Sequence, residues 1–381
     1  MTYIFNSNIY HCPIQIIGQM KILRNSFLFA VVFCIYLHVN AQSLKETFKD
    51  DFYIGAALNG GQIRESDAFQ AKLIAREFSS ITAENVMKSM NIHPEKNRYN
   101  FELPDQLVAL GEKYGMAIHG HTLIWHSQLS RFMREITDST EMVEAMTNHI
   151  NTVAGRYKGK MLSWDVVNEA VEGDGSLRKS VFLNTLGESF LPLAFKLAEA
   201  ADPDADLYYN DYSMTGADKR EGVIRMVKNI QASGAKIDGI GMQGHWGLES
   251  PSLEEIETSI LAFAALGMKV AITELDIDVL PNPRGVSGAD LAQNAELKAE
   301  LNPYTEGIPK EIEIAQAKRY EAIFALFLKH KDVISRVTFW GVNDGNSWKN
   351  NFPVRGRTNY PLLFDRDNKP KKAYEAVLGL K

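Results

Sequence analysis

Short β-branched apolar runs alternate with longer amphipathic stretches from about residue 52 to the C-terminus. The apolar runs fall at 52–58, 79–85, 117–125, 162–169, 206–212, 239–245, 269–276 and 337–344. Their length and near-continuous hydrophobicity predict strands buried on both faces, as in a parallel sheet. Helical periodicity occupies 69–78, 103–114, 141–157, 184–200, 219–232, 253–266, 315–330 and 371–380. Eight strands alternating with eight helices predict an α/β fold, the (β/α)8 TIM barrel, in a single domain. An open doubly wound sheet is the competing architecture. It fits less well, because Gly60 and Gly61 after the first strand lead into no phosphate-binding glycine pattern. The longest irregular stretch, 280–309, follows strand seven, which places it as a loop on the catalytic face of such a barrel.

The first 41 residues stand apart from this alternation. Lys21 and Arg24 precede an apolar run at 27–37, and Val39, Asn40 and Ala41 make a small-residue cleavage pattern. The run is too short to span a bilayer, so residues 1–41 read as a secretory signal peptide, with Met20 an alternative start. Phe33 before Cys34 argues against a lipoprotein signal. The expectation is therefore an exported protein, periplasmic, cell-surface or extracellular, with no membrane association after cleavage and a catalytic unit at 42–381.

The leader contains two basic residues and no acidic ones, which leaves 39 basic and 47 acidic residues, a net charge of −8. Nucleic acid is excluded as a partner, since phosphate binding needs a basic surface. Both cysteines, Cys12 and Cys34, lie in the leader, so the remaining chain has no disulfide, thiolate metal site or thiol nucleophile.

Chemistry concentrates at the strand ends. Glu169 closes Trp-Asp-Val-Val-Asn-Glu and Glu274 lies in Ala-Ile-Thr-Glu-Leu-Asp, each a carboxylate at the C-terminal end of a buried strand. That is a costly place for a charge unless chemistry uses it, and two such carboxylates point to the acid/base and nucleophile of glycoside hydrolysis. Around them fall Glu84, Asn85, Lys88, His121, Gln128, Asn168, Asn210, Tyr212 and Gln243, groups able to bond sugar hydroxyls. Trp125, Trp340 and Trp348 offer indoles for the apolar faces of sugar rings. His245 and Asp276 flank Glu274 across two strands and would hold it ionised. His119 and His121 share one strand face, a spacing that also suits metal ligation, but strand five offers no further histidine.

With these motifs in order, the chain resembles glycoside hydrolase family 10, the retaining endo-β-1,4-xylanases. The resemblance rests on Ile-Thr-Ala-Glu-Asn-Val-Met-Lys (81–88), Gly-His-Thr-Leu-Ile-Trp-His-Ser-Gln (120–128), Trp-Asp-Val-Val-Asn-Glu (164–169), Tyr-Asn-Asp-Tyr (209–212), Gly-Met-Gln-Gly-His (241–245), Ile-Thr-Glu-Leu-Asp (272–276) and Phe-Trp-Gly-Val-Asn-Asp (339–344). It implies Glu169 as general acid/base and Glu274 as nucleophile, supported by His245 and Asp276. It implies Asn168 and His121 at the sugar bonded to the enzyme. Glu84, Asn85, Lys88 and Gln128 would hold the next sugar, with Trp340 and Trp348 over the cleft. The implied partner is β-1,4-linked polysaccharide, xylan and xylo-oligosaccharides, acted on by a monomer without cofactor or metal. A β-1,4-glucanase with the same mechanism and a non-catalytic polysaccharide-binding protein are the competing functions. The chain departs from the family pattern at Ser89-Met90, where many members have Trp-Glu, at His119, often Arg, and in the long 280–309 loop.

Overall fold

The computed structural model describes residues 42–283 and 295–381. The expected signal segment lies outside the described residues, as does part of the 280–309 loop. The unit from Ser43 to Lys381 is built on eight parallel strands: β1 Tyr53–Leu58, β2 Ser80–Ala83, β3 Ala117–Gly120, β4 Ser163–Asn168, β5 Asp206–Asp211, β6 Gly239–Met242, β7 Lys269–Asp278 and β8 Ile334–Phe339. Each pairs with its sequence neighbours, and β8 returns to β1 through Tyr53↔Arg336 and Gly55↔Thr338. The sheet is thus a closed (β/α)8 barrel. Two short strands lengthen its C-terminal rim: Ile124–Trp125 pairs with β4 beside Asn168, and His245–Gly247 pairs with β7 beside Asp276.

The outer ring consists of α1 Ala68–Glu77, α2 Glu102–Tyr114, α3 Ser139–Arg156, α4 Phe190–Ala201, α5 Ala217–Ala232, α6 Leu253–Ala264, α7 Lys310–Lys329 and α8 Lys372–Leu378. Their limits follow from local chemistry. Ser252 and Glu255 form a reciprocal capping box at the start of α6. Gly115, at φ +63°, ends α2 in the left-handed conformation glycine takes without steric cost. In α3, Met142, Ala145, Met146, His149, Ile150 and Val153 repeat at helical spacing and form the buried stripe.

Two expectations change. The helix placed at 184–200 is interrupted: a short helix, Val181–Leu186, and a 3-10 turn, Gly187–Ser189, precede α4. Gly187 has φ +63°, which a continuous α-helix does not accommodate. The last strand is displaced toward the N-terminus, because Trp340 onward leaves the ladder and residues 344–346 form a 3-10 turn.

The barrel lumen is polar in its lower half. Arg336 of β8 reaches across to β4, its Nη1 3.0 Å from Ser163 Oγ, while its Nε bonds Thr338 Oγ1 at 3.0 Å. His119 Nδ1 meets the same Ser163 hydroxyl at 2.7 Å. Where the family often has Arg on β3, this chain has a histidine and carries a lumen guanidinium on β8. Gly120 is required beside this layer, since a Cβ there would lie 2.0 Å from the Trp164 ring. Among the described residues no helix is long and apolar enough to cross a membrane.

Candidate active site

The C-terminal ends of the strands converge on a cleft of about 330 Å³. Glu169 and Glu274 lie on its floor, both buried. Glu169 directly follows β4; its Oε2 accepts the Trp125 indole N–H at 2.8 Å and its Oε1 accepts from Gln243 Nε2 at 2.9 Å. Burial, then the charge of Asp211 and that of Glu274, push its carboxyl up to about 7, against the pull of the Gln243 and Trp125 donors. A carboxyl so placed holds a proton near neutrality and can give it up.

Glu274, within β7, has the opposite surroundings. Asn210 Nδ2 donates to Oε1 at 2.9 Å, and His245 Nε2 lies 3.1 Å from Oε2. His245 Nδ1 is 2.9 Å from Asp276 Oδ2. Burial alone would lower the His245 imidazole; the carboxylates of Asp276 and Glu274 outweigh it and raise it to about 9. The ring is therefore a cation that donates to both carboxylates.

The walls carry the polar and aromatic groups expected from sequence. Lys88 Nζ donates to Asn85 Oδ1 at 3.1 Å and sits 5.0 Å from the Trp125 ring centre. Burial lowers the Lys88 ammonium, opposed by Glu274, Glu84 and Glu169, and burial raises the Glu84 carboxyl. Gln128 and Trp340 complete this side. Asn168 places its amide 3.0 Å from that of Asn210. Trp348 stacks on Phe352 with centroids 4.7 Å apart and donates its indole N–H to Asp276 at 2.8 Å. Tyr212 stands apart from the cleft lining: its hydroxyl accepts from Arg178 at 2.7 Å, and the Lys219 ammonium lies 3.9 Å from its ring centre.

The two strand-three histidines both reach one acceptor that the sequence pattern does not single out, Asp165. His121 Nδ1 is 2.8 Å and His119 Nε2 3.0 Å from Asp165 Oδ2. A carboxylate accepts only, so His121 donates from Nδ1 to Asp165, and its Nε2 is the ring nitrogen left for a hydroxyl in the cleft. The available signal for Asp165 is a lone charge inside a buried strand, on the period-2 face that ends at Glu169. Among the described residues no cluster of His, Cys, Asp and Glu side chains is arranged to hold a metal ion. A larger groove of about 750 Å³ lies between α4 and α5, lined by Glu188, Arg225 and Asn229 among others, without a carboxylate pair.

Ser89, where many members of the resembled family have Trp, is buried, and its hydroxyl pairs with Ser130 Oγ at 3.1 Å and faces Met133 Sδ at 3.8 Å.

The model of Glycosyl hydrolase family 10 matches residues 43–380. Endo-1,4-beta-xylanase A of Xylanibacter ruminicola is 44% identical over 347 residues, covering 90% of this chain and 94% of that protein. The structure of a GH10 endoxylanase retrieved from a sugarcane soil metagenome superposes with a TM-score of 0.86 at 46% identity, covering 89% of this chain and all (100%) of that one. A mutant enzyme solved in complex with xylotriose superposes at 0.79 with 35% identity, over 88% of this chain and 99% of that one.

Proposed function

The chain belongs to glycosyl hydrolase family 10, and from that membership we propose an exported endo-β-1,4-xylanase that cleaves internal bonds of xylan with retention of anomeric configuration. The substrate follows the relatives, which are endo-1,4-beta-xylanases by name along nearly their whole length. One observation carries the chemistry: Glu169 and Glu274 share a cleft, and burial with neighbouring carboxylates raises Glu169, whereas Glu274 is held by donors from Asn210 and His245.

In the first step Glu274 attacks the anomeric carbon, and the glycosidic C–O bond breaks as Glu169 protonates the leaving oxygen. The ester that forms removes the negative charge of Glu274, one of the groups raising the Glu169 carboxyl. Glu169 is then a better base, and it deprotonates the water that releases the sugar. Asn168, and His121 through its Nε2, would bond the hydroxyls of the sugar being transferred. Lys88, Asn85, Glu84 and Gln128 would hold the next sugar on the non-reducing side. All these groups come from one chain, so a monomer suffices.

The test is reducing-sugar release from β-1,4-xylan, with carboxymethyl-cellulose alongside, by the wild type and Glu274→Ala. Xylan cleavage by the wild type alone supports the reading; no release from either polymer by folded wild type sinks it. Retention requires carboxyl groups roughly 5–5.5 Å apart. Proton NMR of the first product formed should show the β-anomer, and an initial α-anomer would rule retention out. Export with cleavage after Ala41 predicts a secreted protein whose first residue is Gln42.

A further inference from the structure

Glu169 has a φ of +58°, in the left-handed region that a residue with a side chain enters only against steric repulsion. Such a conformation persists where its surroundings over-determine it. Here the next two peptide groups are clamped. The N–H groups of Ala170 and Val171 both donate to the hydroxyl of Tyr209, at 3.0 and 3.1 Å. That oxygen, accepting twice, sends its own proton to Asp211 Oδ2. The other Asp211 oxygen accepts from Lys219 Nζ at 2.7 Å and from the Tyr212 N–H at 2.8 Å. Tyr209, Asp211 and Lys219 are all buried, at 0, 0 and 1% exposure, so none of these bonds competes with solvent.

We propose that Tyr209, Asp211 and Lys219 form a relay that fixes the backbone from which Glu169 presents its carboxyl to the glycosidic oxygen. The proposal rests on the reading of Glu169 as acid/base. None of the three lines the cleft, so they are positioning residues rather than catalytic ones. The topology suits that role, since Tyr209 and Asp211 are two apart on β5 and share a face, and Lys219 reaches them from the first turn of α5. Lys219 compensates a carboxylate that could not otherwise be buried there at modest cost.

The relay also has an electrostatic consequence. After burial, Asp211 is the leading influence raising the Glu169 carboxyl, ahead of Glu274. Lys88, whose ammonium burial lowers, and the neutral Tyr212 phenol also face Glu169. Removing the charge of Asp211 should therefore make Glu169 give up its proton at lower pH.

Tyr209→Phe deletes one hydroxyl and leaves the Asp211–Lys219 pair in place. Its kcat on xylan should fall about 10- to 100-fold with KM nearly unchanged, the scale expected when a reacting group is displaced by an ångström or less. Bond cleavage of 2,4-dinitrophenyl β-xylobioside, whose leaving group needs no proton, should fall far less. Asp211→Asn should move the alkaline limb of kcat/KM to lower pH. Wild-type kcat on xylan in Tyr209→Phe, or equal losses on both substrates, would overturn the relay, as would an unmoved alkaline limb in a folded Asp211→Asn. Should Asp211→Asn fail to fold, the two-substrate comparison in Tyr209→Phe decides alone. Glu169→Gln is run in parallel: undiminished xylan cleavage there would refute the acid/base reading itself, whatever the relay variants do.

Discussion

Trp125 donates its indole N–H to Glu169 across 2.8 Å. The bond favours the ionised carboxyl, so this tryptophan opposes the burial that raises Glu169 to about 7. Trp125→Phe keeps a ring beneath Lys88 and removes only the donor and the five-membered half of the indole. The alkaline limb of kcat/KM should move to higher pH, and kcat on xylan should fall by about tenfold, the loss of one charge-assisted bond. A pH–rate profile checks this, and a limb shifted to lower pH would refute it.

A second shared contact links the aromatic wall to the surroundings of Glu274. The Trp348 indole and the His245 imidazole address the same oxygen of Asp276, at 2.8 and 2.9 Å. Asp276→Asn removes the first of the charges that lift His245 to about 9, and burial, unopposed by it, then lowers the imidazole. Glu274 would lose its cationic neighbour. The kcat on xylan at pH 6 should therefore fall about 10- to 100-fold. An undiminished kcat in the folded variant would remove Asp276 from this role.

Much of this site is legible in the sequence because its residues end strands. A barrel strand is buried on both faces, which writes it as a β-branched run, and a polar residue at its C-terminal end stands out against that run. Glu169, Glu274, Gln243 and His245 stand out in this way. Tyr209 and Lys219 do not. A tyrosine within an apolar strand reads as core, and a lysine in the first turn of α5 reads as solvated. Their role depends on an approach across space that no periodicity encodes. The short helices at Leu44–Thr47, Gly60–Ile63, Ser89–Ile92 and Arg131–Arg134 span about one turn each, too few residues to show a period. The break before α4 has only Gly187 as its mark, one glycine in an otherwise acceptable helical pattern.

Ser89 stands where many members of the family carry a bulkier tryptophan. The side chain is buried against Ser130 and Met133. Ser89→Trp should destabilise the fold by about 1–3 kcal/mol through overpacking. Ser89→Ala should cost about 1 kcal/mol by leaving the Ser130 hydroxyl and amide without their partner. Urea unfolding measures both. A Trp variant as stable as the wild type would mean that Ser130 and Met133 can move aside.

The stability of the fold toward acid should be governed by histidines remote from Glu274. His93 and His149 face each other in the core, Nδ1 to Nδ1 at 3.1 Å with stacked rings. One proton can serve that contact; a second sets two N–H groups against each other. Burial, then the neighbouring His93, pushes His149 down to about 3, and burial lowers His93 as well. Burial and then Arg336 push His119 down to about 4. In the unfolded chain these imidazoles return to about 6.5. The fold thus favours their neutral forms: their contribution is complete above about pH 6.5 and is lost as pH falls from there toward the folded values of about 4 and 3. Over that window each proton taken up only by the unfolded chain gives stability a slope of about 1.4 kcal/mol per pH unit. His149→Leu removes one such proton. Unfolding free energies between pH 7 and 4 should fall less steeply in the variant than in the wild type, whatever the offset between them, and parallel lines would show that His149 is protonated in the folded protein.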